Sequence, residues 1–179
     1  ALVTMNLATV YGNRICGDRA ENLEKAIERC QQALTVLTKQ AMPIEWAQVM
    51  HNLAAAYRSR IHGDPAENLE KTIVTYQQAL AVLTQQSNPI GWASIMHNLG
   101  IAYQYRIRGD RAENLEQAIE ACQQALTELT QQTIPFEWAE TIMNLAIAYN
   151  SRIRGAHAQN IEQAIAAYEQ SLKVRTREA

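Results

Sequence analysis

Four near-copies of a 46-residue segment make up this chain, and this repetition limits the possible folds more than any single residue does. The dipeptide Asn-Leu recurs in every copy, followed at fixed distances by Tyr, Arg-Ile, Gly, Asn, Glu, Ile and Leu. Periods of about 20 to 50 residues are typical of solenoids, in which each repeat buries its apolar face against its neighbours. We therefore expect an open array with no single enclosed core, and a function that resides on its surface.

The first half of each repeat predicts an amphipathic helix, which we name helix A. Proline suits the first helical position because its missing N–H needs no partner there, and glycine in a left-handed conformation commonly ends a helix. Candidate starts are Pro43, Pro89 and Pro135, and candidate ends are Gly17, Gly63, Gly109 and Gly155. Between these signals, apolar residues recur at spacings that place them on one helix face, as in Trp46, Met50, Leu53, Ala54, Tyr57 and Ile61.

The second half of each repeat predicts a partner helix, which we name helix B. Asp18, Asp64 and Asp110 precede it as caps, each with a glutamate three residues later. An apolar stripe follows at helical spacing, consisting in the second copy of Leu69, Ile73, Tyr76, Leu80 and Leu83. The predicted fold is all-α, an α-solenoid of antiparallel helix pairs.

The repeats predict one solenoid domain over residues 1–179. Its four repeats cover residues 1–41, with only part of the first helix A, and residues 42–87, 88–133 and 134–179. Because the first copy starts within a helix A, we expect the chain to be a piece of a longer array.

The third copy carries a family resemblance. Its string Asn98-Leu99-Gly100-Ile101-Ala102-Tyr103, followed by Gly109-Asp110, Ala118-Ile119 and Ala125-Leu126, resembles the tetratricopeptide-repeat signature. The repeat departs from the family in length, because 46 residues replace the usual number of about 34. The resemblance implies a right-handed superhelix. The long variant is similar to bacterial arrays that accompany signalling ATPase modules or caspase-like CHAT peptidase modules, and no such module is present in this sequence.

Composition and charge exclude several partner classes. The chain has 16 Lys and Arg against 18 Asp and Glu, a net charge of -2, and no run of like charge that could neutralise phosphates, so we expect no nucleic-acid partner. No apolar run approaches the roughly 20 residues that cross a bilayer, so we expect no membrane segment. The three cysteines lack metal-site or redox spacing, and Cys30 and Cys122 share a repeat position with Tyr76, which favours a packing role. We expect a cytoplasmic protein.

Catalytic and metal-binding signals are not found in the sequence. We find no nucleophile-and-base arrangement, no glycine-rich phosphate loop and no isolated carboxylate pair, so we expect no enzymatic activity and no cofactor. His51 and His97 are predicted on successive A helices about 8–10 Å apart, without a carboxylate or cysteine at ligand spacing. A metal site is therefore not expected.

An asparagine recurs at one helix A position, and two interpretations of it remain open. The residues are Asn6, Asn52, Asn98 and Asn144, which we name the asparagine ladder. Asparagine is less favourable than alanine inside a helix by up to about 0.7 kcal/mol, so the recurrence needs a reason. In helical solenoids that these repeats resemble, such a ladder lines the concave groove and holds the main chain of an extended peptide, because one amide donates and accepts. Alternatively, each amide bonds the neighbouring repeat and sets the stacking angle.

Residues that flank the asparagine ladder vary among the copies, as a surface that reads peptide sequence would require. The predicted peptide-binding set combines the ladder with Gln48, His51, Arg58, Ser94, His97, Gln104 and Glu140. Ordinary drift of solvent-facing positions would produce the same variation, because such changes cost little.

An arginine row near the ends of the A helices recurs together with a glutamate on the B helices. The arginines are Arg14, Arg60, Arg106 and Arg152, and the glutamates are Glu24, Glu70, Glu116 and Glu162. Internal ion pairing is one interpretation, and recognition of a carboxylate or phosphate is the other.

These patterns predict a non-catalytic scaffold that binds an extended peptide or a partner domain on the concave helix A face. Two alternatives remain. The first is a structural array that self-associates through uncapped ends, because the stripe Ile161, Ile165, Tyr168 and Leu172 has no repeat after it. The second is a regulatory arm of a larger signalling protein.

Overall fold

The computed structural model describes residues 2–14 and 16–175, so the ends of the predicted domain, Ala1 and residues 176–179, lie outside the described residues. All regular secondary structure in this described part is α-helical, which confirms the predicted fold class. The helices are α1 Leu2–Asn13, α2 Arg19–Leu34, α3 Pro43–Ser59, α4 Pro65–Leu80, α5 Pro89–Tyr105, α6 Arg111–Ala125, α7 Pro135–Ser151 and α8 His157–Arg175. Odd-numbered helices are A helices and even-numbered helices are B helices, and each A helix packs on the B helix that follows it, as in an α-solenoid.

The chain divides into two compact units, residues 1–84 and residues 85–179, which we name the N-terminal and C-terminal units. Each unit contains two repeats. Within the N-terminal unit α2 also packs on α3, and within the C-terminal unit α6 also packs on α7. The A helices of each unit are in contact as well, α1 with α3 and α5 with α7.

The predicted helix boundaries are present in the structure. Pro43, Pro89 and Pro135 begin α3, α5 and α7. The carboxylate of Asp18 accepts a hydrogen bond from the backbone N–H of Glu21 at 2.9 Å, and Asp110 accepts one from Glu113 in the same way. Asp64 caps α4 through the backbone N–H of Ala66, at 3.0 Å. Local sequence chemistry therefore fixes where each helix starts.

The turn from helix A to helix B combines a glycine with a buried asparagine that the sequence analysis did not single out. Gly17, Gly63, Gly109 and Gly155 have φ between 82° and 86°, a left-handed conformation that favours glycine. The asparagines are Asn22, Asn68, Asn114 and Asn160, each buried, and each donates from Nδ2 to the backbone carbonyl six residues earlier, at 2.8–3.1 Å. These amides hold every described turn against the start of helix B.

One core cluster of each unit lies where helix B of one repeat meets helix A of the next. In the N-terminal unit Ile27 and Cys30 on α2 pack with Val49 and Leu53 on α3. In the C-terminal unit Cys122 occupies the position of Cys30 and is also buried. Burial raises the pKa of both thiols to about 12, which keeps them protonated, and the predicted packing role is confirmed.

Two members of the arginine row form bidentate ion pairs with the glutamate of the preceding repeat. Arg60 donates from Nε and Nη2 to the Glu24 carboxylate at 2.7 and 2.9 Å. Arg152 donates to Glu116 at 2.9 and 2.8 Å. These hydrogen bonds lower the pKa of Glu24 and Glu116 below the ordinary value of 4.5. Internal pairing is therefore confirmed for these two arginines.

A double-mutant cycle measures how strongly the Arg152–Glu116 pair couples the third and fourth repeats. With Glu116→Gln, Arg152→Met and both together, we expect a coupling free energy of about 0.5–1 kcal/mol at pH 7 in urea unfolding. Because the pKa of Glu116 is lowered in the fold, this contribution is present above its unfolded-state pKa and disappears as the pH falls through its folded-state pKa. The same cycle on Lys25–Glu21, whose side chains are 44% and 70% exposed, should give a smaller coupling. Equal couplings for the two pairs would contradict the prediction.

Candidate peptide-binding groove on the helix A face

A cavity of 230 Å³ lies between α1, α2 and α3 of the N-terminal unit, which we name the Gly12 cavity. Its apolar lining consists of small side chains and one leucine: Ala8, Leu23, Ala26, Cys30, Ala55 and Ala56. Its polar lining comprises Thr9, Asn13, Arg19, Asn52, Arg58 and Ser59, together with Gly12. The cavity thus combines a small apolar surface with hydroxyl, amide and guanidinium groups, the composition of a site that anchors one side chain and hydrogen-bonds its surroundings.

The missing side chain at Gly12 leaves the space for this cavity. A Cβ atom built on Gly12 would meet the Cβ of Ala26 at 4.0 Å, an ordinary contact distance. In the C-terminal unit the equivalent position holds Gln104, which is only 4% exposed. The two units therefore differ at the position of the cavity, because one has a glycine where the other has a buried side chain.

Asn52, a member of the asparagine ladder, lines the Gly12 cavity and contacts the preceding repeat. Its Nδ2 donates to Oγ1 of Thr9 on α1 at 3.1 Å. Within the described part of the chain, the Asn52 amide uses one of its two hydrogens for this bond. The second hydrogen and Oδ1 remain available to another molecule. One side chain therefore bridges two repeats and keeps a donor and an acceptor for another molecule.

Two guanidinium groups give the Gly12 cavity a positive character. Arg19 donates from Nη1 to the backbone carbonyl of Gly12. Arg58 is exposed, and its charge contributes, after burial, to the lowered pKa of His51. Among the described residues that line the cavity there is no aspartate or glutamate. An anionic group would therefore meet attraction from Arg58 and no competing carboxylate of the lining.

The other predicted residues of the N-terminal unit lie outside the cavity lining. Gln48 and Asn6 are exposed. His51 packs edge-on against the ring of Tyr76 on α4, with ring centroids 5.6 Å apart, and burial lowers its pKa. This places His51 against its own helix B.

In the C-terminal unit the predicted residues make contacts within and between the A helices. Asn98 donates from Nδ2 to the carbonyl of Ser94 in its own helix at 2.9 Å. His97 Nδ1 lies 2.8 Å from Oγ1 of Thr141, which links α5 to α7. Glu140 and Asn144 are half-buried on α7. The asparagine ladder thus serves different contacts in different repeats, across repeats at Asn52 and within one helix at Asn98.

Several residues that line the Gly12 cavity are not among the site residues predicted from the sequence. Thr9 carries no repeated signal, since its equivalents in the other copies are alanine or isoleucine. Asn13 and Ser59 share one repeat position, which holds tyrosine in the third copy and serine in the fourth and therefore gives no constant signal. Arg19 does carry one, because Arg111 stands at the same repeat position and likewise donates to the backbone carbonyl seven residues earlier, that of Gln104. The sequence signal that could have identified Arg19 is the recurrence of an arginine directly after the aspartate cap.

A larger cavity of 580 Å³ lies on the helix B side of the N-terminal unit, which we name the helix B groove. Tyr57, Arg60 and Lys71 line it together with acidic residues of α2. Its charges are largely satisfied internally, because Arg60 pairs with Glu24, and Lys71 pairs with Glu67 at 2.7 Å. A charged ligand would have to displace these pairs, which makes this groove the weaker candidate despite its size.

The described part of the chain offers neither a cluster of metal-ligating side chains nor a helix suited to crossing a membrane. The described residues contain no cluster of three or more His, Cys, Asp or Glu side chains suited to holding a metal ion. Among the helices described, none is both long enough and apolar enough to traverse a bilayer.

Comparison with known proteins identifies the repeated unit. The family model described as tetratricopeptide repeat matches residues 46–82 and residues 92–127. Each match begins at a helix A tryptophan, Trp46 or Trp92, and extends through the following helix B. No curated protein matches the chain significantly.

Proposed function

Because two of the four repeats match the tetratricopeptide-repeat family, and such repeats generally mediate protein–protein interaction, we propose that the chain is a non-catalytic scaffold that binds an extended peptide on its helix A face. The Gly12 cavity is the anchor site in this proposal. The observation that carries it is the meeting of Asn52, Arg58 and a small apolar surface in one cavity between two A helices.

The asparagine ladder supplies the main-chain contacts in this proposal. An extended peptide advances about 3.3 Å per residue, and packed helices lie about 8–10 Å apart, so A helices of neighbouring repeats meet a peptide about every third residue. Asn6 and Asn52 are the ladder residues of the N-terminal unit, and Asn98 and Asn144 are those of the C-terminal unit. The flanking residues Gln48, Ser94, His97 and Glu140 are then candidates for contacts with peptide side chains.

The chemistry of the Gly12 cavity favours a particular peptide. Arg58 attracts an acidic side chain, and the alanine-rich lining leaves room for a small apolar one. We propose a ligand in which Asp or Glu neighbours Ala, Val or a residue of similar size.

Nucleic acid and membrane are not part of the proposal. The three cysteines of the chain are free, and two of them stand in packing positions. They support a reducing, cytoplasmic setting for the protein.

An arrayed library of 12-residue peptides tests the proposed ligand chemistry. Each acidic peptide is paired with a copy in which Asn or Gln replaces the acid, and the array is probed with the 179-residue chain. Arg58→Gln should weaken binding of the acidic members by about tenfold and leave the amide copies unchanged, because a charge-assisted hydrogen bond is lost. Lys25→Gln is the matched control, since it removes one positive charge in the helix B groove and repeats the residue found at position 117. If both variants weakened peptide binding equally, the effect would come from the net charge of the protein, and the proposal would be overturned.

The variant Asn52→Ala separates the two interpretations of the asparagine ladder. If the amide holds a peptide main chain, binding of all peptides weakens about fivefold, irrespective of their sequence, because one hydrogen bond is lost. The midpoint of thermal unfolding then changes little, since Thr9 at the other end of the internal bond is exposed. If the amide serves stacking instead, the midpoint falls and peptide affinity is retained.

A further inference from the structure

The N-terminal unit leaves open a space that the C-terminal unit fills with a side chain of its own. We infer that the Gly12 cavity selects glutamate as the acidic residue of its peptide, because the same position of the C-terminal unit buries Gln104, a residue with the shape of glutamate. The inference rests on the proposed function and deepens it, since it reduces the candidate acidic residues of the ligand to one.

The apolar floor of the Gly12 cavity recurs unchanged in the C-terminal unit. Four of its residues have identical equivalents two repeats later, and all of them are buried in both units. The pairs are Leu23 with Leu115, Ala26 with Ala118, Cys30 with Cys122, and Ala56 with Ala148. The surface next to Gly12 is therefore built from the same residues as the surface next to Gln104.

The backbone above this floor is also held in the same way in both units. Arg19 donates from Nη1 to the carbonyl of Gly12, and Arg111 donates from Nη1 to the carbonyl of Gln104. A Cβ built on Gly12 would lie 4.0 Å from the Cβ of Ala26, a residue of the floor. A side chain at this position therefore starts over the floor, and Gln104 is only 4% exposed there. The floor thus suits a side chain with two methylene groups and a planar terminal group.

The rim of the cavity decides between glutamine and glutamate, which differ only in the terminal group. Arg58 lines the cavity of the N-terminal unit, whereas its equivalent in the C-terminal unit is Asn150. The described residues of the lining include no carboxylate, so a charge-assisted hydrogen bond to Arg58 favours glutamate. Aspartate has one methylene group fewer, which holds its carboxylate closer to the apolar floor, where burial of a charge is unfavourable.

The Gly12 cavity also has room for the neighbouring residue of the peptide. Thr9 and Ala55 line it at positions where the C-terminal unit has Ile101 and Ile147. Both isoleucines are half-buried. The N-terminal unit therefore offers additional space at two positions that are apolar in the C-terminal unit, which matches a ligand in which glutamate neighbours Ala or Val.

Substitutions at the acidic position of the tightest acidic peptide from the array test this selectivity. The position carries Glu, Gln, Asp or Ala in turn, and isothermal titration measures the dissociation constant with the 179-residue chain. We expect the glutamate peptide to bind about tenfold more tightly than each of the others. In the variant Arg58→Gln the glutamate and glutamine peptides should bind equally, because the charge-assisted hydrogen bond is lost.

The outcomes separate this inference from the proposed function. If the aspartate and glutamate peptides bound equally and Arg58→Gln weakened both, the selection of glutamate would be overturned and the acidic-peptide site would remain. If no peptide responded to Arg58→Gln, the proposed function would fail, and the selection of glutamate would fail with it.

A side chain placed at position 12 tests the same space without a peptide. Gly12→Glu and Gly12→Asp each introduce a carboxylate over the floor, and each is combined with Arg58→Gln. We expect Arg58→Gln to lower the midpoint of thermal unfolding by about 2–4 °C more in Gly12→Glu than in the wild-type chain, because the glutamate carboxylate reaches Arg58. In Gly12→Asp the additional decrease should be less than about 1 °C, since the shorter side chain does not reach Arg58. Gly12→Gln is the uncharged control, and equal decreases for the two acids would overturn the inference.

Discussion

Replacing Asn114 by Ala will lower the free energy of unfolding by about 1–3 kcal/mol, because a buried side chain and the hydrogen bond that it donates to a turn carbonyl are both lost. Asn114 is 2% exposed and donates from Nδ2 to the carbonyl of Arg108 at 2.8 Å. That carbonyl belongs to the turn whose glycine, Gly109, is held at φ 82°. The asparagine therefore ties the end of α5 to the start of α6, and its loss should loosen the whole repeat.

Chemical denaturation followed by circular dichroism measures the effect of this change. Asn114→Asp is the sharper companion variant, since it keeps the size of the side chain and removes the donating N–H. Asn150→Ala is the matched control, because Asn150 is an exposed asparagine of the same unit and should change stability by less than about 0.5 kcal/mol. An unchanged unfolding midpoint for both Asn114 variants would contradict the structural role assigned to this residue.

Gly12→Gln will reduce peptide binding at the Gly12 cavity by more than tenfold, because the new side chain occupies the space that the peptide requires. Gln104, which is buried at the equivalent position of the C-terminal unit, is the natural precedent for this substitution. Stability should not fall, since glutamine is favoured over glycine inside a helix by up to about 1 kcal/mol. We therefore expect the peptide array to show a loss of binding and thermal unfolding to show that the fold is retained.

The variant Gly12→Ala controls for the backbone effect of removing a glycine. A Cβ at this position meets Ala26 at an ordinary 4.0 Å, so most of the cavity stays open and binding should remain close to the wild-type level. Wild-type affinity in Gly12→Gln would mean that peptides bind elsewhere.

Much of the fold was predictable because its determinants are local and repeated. Proline at the first helical position, aspartate caps and left-handed glycines act within a few residues, so a 46-residue period displays the prolines and the aspartates three times and the glycines four times. The pairing of Arg60 with Glu24 was predictable for a similar reason, since both residues recur at constant spacing. The resemblance to arrays that accompany signalling ATPase or CHAT peptidase modules stays a prediction.

The cavity and the turn asparagines could not be predicted, because they depend on packing between helices. Gly12 and Gln104 vary like ordinary surface positions in the sequence, yet one borders a cavity and the other is buried. Asn114 resembles an ordinary polar residue in the first turns of helix B, and only the position of the Arg108 carbonyl in the turn gives its buried side chain a partner. The structure therefore adds most to the sequence where residues of different helices and turns meet.

Nuclear magnetic resonance can locate a bound peptide on the helix A face or on the helix B side of the N-terminal unit. The isotope-labelled chain is titrated with the tightest acidic peptide from the array, and perturbed side-chain signals are assigned. We expect the signals of the Asn52 amide and the Arg58 Nε–H to be perturbed and those of Arg60 and Lys71 in the helix B groove to stay unchanged. Perturbation confined to Tyr57, Arg60 and Lys71 would contradict this expectation and place the peptide on the helix B side.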